Sequence, residues 1–335
     1  MRSALGKLLI FVLLAFCVVA SAVLWWLYTP IPLSLQGDAV VVELEVESGT
    51  RAAQIAADVA ASGAEVNVLL LQLWFRFSGQ ARQIKAGSYE IAPGSTPKGV
   101  LNMLVRGDQS LRSVTLVEGW TFAQVRSALQ KAELLTPESV ALDPEMIMTR
   151  LGRPGLHPEG RFFPDTYSYA KGSSDLAVLK RAAKAMDKRL DAAWSLRSPD
   201  TPLKSPADML ILASIVEKET GKPSDRGQIA GVFANRLRIN MRLQTDPTVI
   251  YGLGARFDGN LRKRDLLQDS PYNTYTRVGL PPTPIAMPGK AALLAAVQPQ
   301  ATSALYFVAR GDGSSHFSAT LDEHNKAVNK YIRNQ

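Results

Sequence analysis

The sequence predicts an α+β protein that begins with one membrane-spanning helix. Three observations predict this class: a long uncharged run near the N-terminus, three short strand-like segments each followed by a glycine turn and a helical run, and a mostly helical pattern from residue 131 onward. The 335 residues leave room for roughly two domains. The 46% hydrophobic and 20% charged residues are ordinary globular values, which excludes a disordered or low-complexity chain.

Charge and cysteine content exclude further classes. The 38 basic and 30 acidic residues give a net charge of +8, which favours an anionic partner such as a membrane surface, a cell-wall polymer or nucleic acid. Cys17 is the only cysteine, so the chain has no internal disulfide and no cysteine-rich zinc site. The G-x-S-x-G, phosphate-loop and H-E-x-x-H patterns are all missing from the sequence. We therefore expect no metal and no organic cofactor.

The N-terminal run from Leu8 to Tyr28 contains 21 residues without a charge. A helix of that length spans the roughly 30 Å hydrocarbon layer of a bilayer. Arg2 and Lys7 precede the run, so the positive-inside rule places residues 1–7 in the cytoplasm and everything after Pro30 outside it. A cleaved signal peptide is the alternative, because residues 20–22 form an A-x-A site. Export follows from either interpretation and makes a nucleic-acid partner unexpected.

Three strand-like segments follow the span and the Pro30–Gly37 link. They are Val40–Val46, Tyr89–Ile91 and Val114–Val117. Each leads through a glycine turn to a Ser or Thr in position to cap the next helix. The order predicts small β-α units that share one core. The alternative is that glycine and threonine are simply common between a strand and a helix.

The rest of the chain is predicted to be mostly helical with loops. The helices are expected at Asp175–Trp194, at about 207–220, 225–240 and 290–297, and from about Leu321 onward. A loop-rich polar block covers residues 244–288, and a strand covers Leu305–Ala309.

A carboxyl group on the helix at 207–220 is the candidate for acid–base chemistry. At 100° per residue, Glu219 lies about 20° from Leu212 on the apolar stripe, whereas Glu217 lies about 140° away on the flank. A carboxyl group on an apolar face either touches the rim of the core at a helix end or projects into a dry cleft. In the second case burial raises its pKa toward neutrality, as a general acid requires.

Amides, hydroxyls and aromatic rings are concentrated in the block that follows. The segments Gln244–Gly252 and Pro271–Tyr275 precede the proline-stiffened Gly279–Pro282. Such loops suit a sugar, because polar edges bind hydroxyl groups and ring faces pack on pyranose rings. A tyrosine-rich structural loop is the alternative.

Several motifs in one order resemble a known family. They are Ala213–Thr220 (ASIVEKET), the helix with Asn235–Leu237, Arg242–Gly252 (RLQTDPTVIYG), Tyr272–Tyr275 (YNTY), Gly279–Pro282, and upstream Glu159–Gly160 and Phe163–Tyr167. Together they resemble the MltG (YceG-like) endolytic murein transglycosylases over nearly the whole chain beyond the anchor.

The resemblance implies the domain order and the reaction. The expected regions are a cytoplasmic N-terminus at 1–7, a transmembrane helix at 8–28, a LysM-like β-α region at 38–130 and a mixed α+β catalytic domain at 131–335. The implied protein is a single-pass protein of the inner membrane with a periplasmic catalytic domain. It would cut nascent glycan strands between N-acetylmuramic acid and N-acetylglucosamine and leave 1,6-anhydro ends, which would terminate glycan elongation. The implied partners are peptidoglycan strands, the inner membrane and peptidoglycan synthases.

The resemblance also assigns residues. Glu219 corresponds to the family's catalytic glutamate, in agreement with the helical-face argument. The polar positions that carry over as sugar contacts, or as groups that orient Glu219, are Asn235, Gln244, Asp246, Tyr272, Asn273 and Tyr275. The LysM-like region either grips glycan or acts as a spacer.

Two other functions stay open. One is a hydrolytic muramidase in which Asp246 or Glu217 directs water toward the bond that Glu219 protonates. The other is a non-catalytic glycan-binding scaffold that recruits synthases.

Overall fold

The computed structural model describes residues 2–35, 41–47 and 49–333, with side chains of the first helix described from residue 10. The chain forms two compact units, Met1–Arg112 and Ser113–Gln335. Residues 36–40 and Ser48, which belong to the predicted link, first strand and first turn, lie outside the described residues. The LysM-like identity of residues 38–130 stays a prediction.

The first helix, α1 (Arg2–Tyr28), is consistent with the predicted span. Its segment Ile10–Tyr28 has 19 residues and a mean hydropathy of 2.6, which makes it long and apolar enough to cross a membrane. Most of its described side chains are exposed, but Leu27 is buried and Trp26 packs on the core of the first unit. The last turn of α1 is therefore part of the folded unit.

In the first unit, two helices lie in the sequence between two strands that pair with each other. Its further elements are β1 (Val42–Val46), α2 (Ala52–Ala61), α3 (Val68–Phe77), a 3₁₀ turn (Ala81–Gln83), β2 (Gly87–Ile91) and α4 (Pro97–Arg106). β1 and β2 are antiparallel, with Val42 opposite Ile91. Alternate residues of β1 are buried, as the period of a half-buried strand predicts. Thr96 caps α4 by accepting from the Gly99 N–H at 3.1 Å, again as expected.

The second unit is mainly helical. Its helices are α5 (Phe122–Lys131), α6 (Pro144–Arg150), α7 (Asp175–Ser195), α8 (Pro206–Glu219), α9 (Pro223–Arg238), α10 (Asp246–Leu253), α11 (Lys263–Leu267), α12 (Lys290–Val297) and α13 (Leu321–Val328). Short 3₁₀ turns cover Glu138–Ala141 and Gly254–Arg256, and a π-helical turn covers Asn329–Arg333. Its strands are β3 (Leu111–Thr115), which contains the boundary between the units, β4 (Thr166–Ala170), β5 (Tyr306–Ala309) and β6 (Ser315–Ser318).

The expectation that three β-α units share one core is wrong for the third unit. β3 pairs with β4, and β5 pairs with β6, so the described strands form three separate two-stranded sheets. The apolar side chains of β3 and α5 pack with those of β4 and α7 and not with β1 and β2. The third strand also lies earlier than predicted, at Leu111–Thr115 and not at Val114–Val117. Strand pairing depends on distant residues that a local pattern does not identify.

The core of the second unit surrounds α8. The eight residues from Met209 to Val216 are all buried, and α7, α9, α10 and α12 pack around them. A helix that is apolar on every side is stable only inside a core. Because α8 is enclosed, its C-terminal end is held at a fixed place among the loops described next.

Candidate active site

The candidate catalytic residue is the last residue of α8. Ser205 caps the start of this helix by accepting from the Asp208 N–H at 3.1 Å, and Pro206 occupies the first turn, where its missing N–H costs nothing. The helix ends at Glu219 because Thr220 is extended, with φ −147° and ψ 131°. Lys218 is exposed, while Glu219 is only half-buried and lies just beyond the buried segment of the helix.

The carboxyl group of Glu219 is held by the loop that starts α10. The Thr245 hydroxyl donates a hydrogen bond to Glu219 Oε1, although Thr245 occupies the capping position of α10 and could have capped that helix instead. The Thr245 N–H donates in turn to Thr274 Oγ1 at 3.1 Å. Gln244 just before it has φ +49°, a left-handed conformation that costs free energy for a residue with a Cβ.

The surroundings of Glu219 favour its protonated form. Burial raises the pKa of Glu219 to about 7, and the nearby carboxylate of Asp246 raises it as well. The hydrogen bond from Thr245 and the positive charge of Arg236 act in the opposite direction. The carboxyl group can therefore carry a proton near neutral pH, and the same group can hold a negative charge once the proton has left.

A buried arginine organises the same region. Arg236 on α9 is 6% exposed; its Nε donates to Leu305 O at 2.7 Å, and its Nη1 donates to Leu243 O at 2.7 Å. Its guanidinium also lies 5.3 Å from the centre of the Tyr306 ring. Arg236 therefore ties α9 to the segment before Gln244 and to the start of β5, and keeps a cation near Glu219.

A cavity of about 370 Å³ opens in front of Glu219. It is lined by Glu219, Arg236, Gln244, Asp246, Tyr275, Tyr306, Phe307, Leu321 and His324. The volume lies in the range of ordinary ligand sites. The lining combines carboxyl, amide and guanidinium groups with the rings contributed by β5 and α13, which is the mixture that a sugar requires.

Two polar side chains of the lining bind each other. The Tyr275 hydroxyl donates to Asp246 Oδ1 at 2.5 Å. Burial first, and then the Asp246 carboxylate, hold the pKa of Tyr275 above its usual range, so this hydroxyl keeps its proton. Asp246 is thereby a fixed acceptor beside Glu219.

Three of the six predicted substrate-binding residues line this cavity with Glu219, and three do not. Gln244, Asp246 and Tyr275 are in the lining. The other three, Asn235, Tyr272 and Asn273, use their polar groups on the protein.

The contacts of these three residues are structural. The Asn235 amide donates to Thr302 O at 2.8 Å and to Ala304 O at 3.0 Å. The Tyr272 hydroxyl lies 2.8 Å from Thr283 Oγ1. Asn273 is 1% exposed and accepts from the Tyr275 N–H at 2.8 Å, so it positions the backbone of a cavity residue.

Sequence reasoning missed six lining or supporting residues. They are Thr245, Arg236, Tyr306, Phe307, Leu321 and His324. Thr245 lies between Gln244 and Asp246, and Arg236 follows Asn235. Their positions inside these motifs could have identified them as site residues. The other four come from β5 and α13, about 100 residues further along the chain than Glu219, and no motif marked them.

Two other buried glutamates lie outside this lining. Glu159 is 3% exposed, and this burial raises its pKa to about 7. Its carboxyl group accepts hydrogen bonds from the Phe122 N–H at 2.9 Å and from the Tyr251 hydroxyl at 3.0 Å. Glu217 accepts from the Gly289 N–H at 2.8 Å, at the start of α12. Both carboxyl groups bind backbone N–H groups, so they fix α5, α10 and α12 in place.

Comparison with known proteins gives one consistent result. Residues 44–330 match the YceG-like family. The chain is 33% identical over 309 residues to a protein named endolytic murein transglycosylase from Bacillus subtilis, covering 87% of this chain and 85% of that protein. It is 26% identical to the Streptococcus pneumoniae protein of the same name, where it spans 59% of that longer protein.

A solved structure agrees. The crystal structure of a YceG-like protein from Listeria monocytogenes has a TM-score of 0.54 and 29% identity to this chain, and the match covers 86% of this chain and 99% of that one. The family match covers all the residues that line the cavity, nearly all of the second unit and the part of the first unit from residue 44 onward. The chain belongs to the YceG-like family.

Proposed function

We propose that this chain is a membrane-anchored endolytic murein transglycosylase with Glu219 as its single catalytic residue. The observation that carries the proposal is a half-buried carboxyl group with a pKa of about 7 at the edge of a cavity of about 370 Å³. The named activity of the Bacillus subtilis relative, which covers most of this chain, supports the same reaction class.

The reaction needs one acid that becomes a base. Protonated Glu219 donates its proton to the glycosidic oxygen between N-acetylmuramic acid and N-acetylglucosamine, and the bond from the anomeric carbon to that oxygen breaks. The resulting carboxylate accepts the proton of the muramic acid 6-hydroxyl, whose oxygen forms a bond to the anomeric carbon. The products are a 1,6-anhydro ring and a free N-acetylglucosamine hydroxyl. No water is consumed, and Glu219 ends in its starting state.

The neighbours of Glu219 fit both halves of this cycle. The Thr245 hydroxyl donates to the carboxyl group, and the cation of Arg236 stabilises the carboxylate that forms after the first proton transfer. Before transfer, burial keeps the proton in place. Gln244, Asp246 and Tyr275 would bind sugar hydroxyls. The Tyr306 ring stacks on His324 with 5.2 Å between ring centres, and the part of it that lines the cavity would contact an apolar surface of a pyranose.

The placement of the protein completes the proposal. We infer that α1 is an uncleaved anchor with its N-terminus in the cytoplasm, so that the second unit acts on nascent strands in the periplasm and terminates their elongation, with peptidoglycan synthases as partners. The length and composition of α1 and the packing of its last turn into the first unit support this inference. For the first unit, glycan binding by a LysM-like fold and a role as spacer both stay open.

A hydrolytic muramidase is the second candidate. It is favoured by one observation, since Asp246 places a second carboxylate in the cavity. In that reaction Asp246 would direct a water molecule to the anomeric carbon. Glu217 is a weaker candidate for this role, because its carboxylate is bound to the Gly289 N–H outside the cavity lining.

The test is digestion of uncrosslinked glycan strands by the full chain in detergent, in heavy-oxygen water, with mass spectrometry of the new ends. We expect anhydro ends that are lighter by one water and carry no label. Labelled reducing ends would instead establish the muramidase, and a wild-type chain that binds but never cuts would establish the scaffold. Glu219→Gln should not cut, whereas Glu217→Gln is the matched control that should.

A further inference from the structure

The helix α3 carries two opposite apolar faces. Leu71 and Phe75 are fully buried in the core of the first unit. The other side of the helix, called the outer face here, carries Leu69 (68% exposed), Leu70 (44%), Leu73 (42%), Phe77 (79%) and Arg76. At 100° per residue these five residues fall within about 120°, centred about 180° from the buried pair. An ordinary surface helix has a polar face at that position.

The outer face has the chemistry of a helix that lies in a membrane interface. Four large apolar side chains are flanked by the cation of Arg76, and a second exposed arginine, Arg82, lines the same groove. Leu69, Leu73, Arg76 and Arg82 all line one open groove of about 780 Å³. Contiguous exposed apolar surface marks an interaction site, and guanidinium groups beside it favour the phosphates of lipid head groups.

The chain that leaves α1 is hydrogen-bonded to the segment just before α3. Ile31 is 5% exposed, and its N–H donates to Ser95 O at 2.8 Å. One residue later the Pro32 carbonyl accepts from the Glu65 N–H at 2.8 Å, and Leu33 forms an antiparallel bridge with Ala64. Glu65 lies three residues before the first residue of α3. Because these bonds begin within three residues of Tyr28, no free linker separates α1 from the first unit.

We propose that the outer face of α3 lies in the lipid interface beside the end of the span, with its apolar side chains among the upper acyl chains and Arg76 and Arg82 against lipid phosphates. The inference rests on the proposed membrane anchor. A unit whose core contains the last turn of the anchor stays at the membrane surface, so part of its surface faces head groups. The outer face of α3 is an apolar and basic surface tied to the chain at the exit of the span.

A fluorophore attached at one position tests this contact. The full-length chain with Cys17→Ser is reconstituted in vesicles of phosphatidylethanolamine and phosphatidylglycerol, some carrying a nitroxide at the head group. One sample carries the label on Leu73→Cys, on the outer face. The matched control carries it on Glu45→Cys, an exposed position of β1 that points away from the core. Leu73 is 42% exposed and Glu45 is exposed on β1, so neither change removes a side chain of the core.

We expect the lipid nitroxide to quench the label at position 73 at least about threefold more than the label at 45, and aqueous iodide to show the reverse order. Changing Arg76 and Arg82 to Gln should reduce the dependence of quenching on the phosphatidylglycerol fraction. Equal quenching at both positions overturns the proposal. A label at 73 that is shielded from both quenchers also overturns it, because a protein would then cover the face.

Flotation of the vesicles keeps the two proposals apart. A chain that does not float with the vesicles has no anchor, and this inference fails with it. A chain that floats but gives no selective quenching retains the anchor and loses the α3 contact. Glycan cleavage is measured on the same samples, so a failure of the proposed reaction is seen separately from either result.

Discussion

Replacing Glu219 with Gln should make the protein more stable at alkaline pH while abolishing cleavage. Burial raises the pKa of Glu219 from 4.5 to about 7, so between these pH values the folded chain keeps a proton that the unfolded chain loses. The free energy of unfolding of the wild type therefore falls as the pH rises through this window. One pKa unit corresponds to about 1.36 kcal/mol, which gives a total of about 3 kcal/mol above pH 7.

Glutamine keeps the shape and an oxygen that can accept from Thr245, but it does not titrate. We expect the variant to exceed the wild type by about 3 kcal/mol at pH 8 and to match it near pH 4, where Glu219 is protonated in both states. For a unit of this size the difference at pH 8 corresponds to about 6–12 °C in the melting temperature. The measurement is thermal or denaturant unfolding of the full chain in detergent, followed across this pH range.

Glu323→Gln is the matched control, because it makes the same chemical change in a carboxyl group whose pKa is shifted the other way. The N–H groups of Thr320 and Ala319 donate to Glu323 and lower its pKa. That group adds stability at high pH and loses it as the pH falls, so its replacement should lower the melting temperature at pH 8. Equal melting of wild type and Glu219→Gln at pH 8, or a gap that does not change between pH 4 and 8, would refute the burial argument.

Three further predictions concern the site. The rate of cleavage should fall about tenfold per pH unit above about 7, because the reactive form is protonated Glu219. Thr245→Val removes a hydrogen bond that lowers the pKa of Glu219, so in this variant the fall in rate should begin at a higher pH. An unchanged pH–rate profile would contradict the role of Thr245. Glu217→Gln should change kcat/KM by less than about tenfold, because glutamine can still accept a hydrogen bond from the Gly289 N–H. Steady-state kinetics on glycan strands measures this ratio, and a larger loss would contradict a purely structural role for Glu217. Tyr306→Ala should raise KM about fivefold, because it removes about 1 kcal/mol of ring packing on the sugar. Tyr306→Phe keeps the ring and should leave KM nearly unchanged. Equal KM values for the wild type and both variants would show that Tyr306 does not contact the sugar.

The sequence by itself determined the features that depend on near neighbours. The uncharged run ending at Tyr28 identified a helix long enough for a bilayer, and the apolar run before Glu219 identified α8 as a helix. The predicted apolar stripe of α8 is not observed, because residues 209–216 are buried on every side of the helix. Predicted helix bounds agree with the structure to within a few residues, as at α7 and α12. Motif order identified the family, and the family match over residues 44–330 agrees.

The tertiary structure alone decided which distant side chains meet. β3 pairs with β4, and Tyr306 and His324 join Gln244 at the cavity, because packing brings together segments whose local patterns carry no information about each other. Burial likewise decided the chemistry of the carboxyl groups. Glu217 and Glu219 are two residues apart, yet the first binds a backbone N–H of α12 and the second faces the cavity, since the surroundings of each group depend on the whole fold.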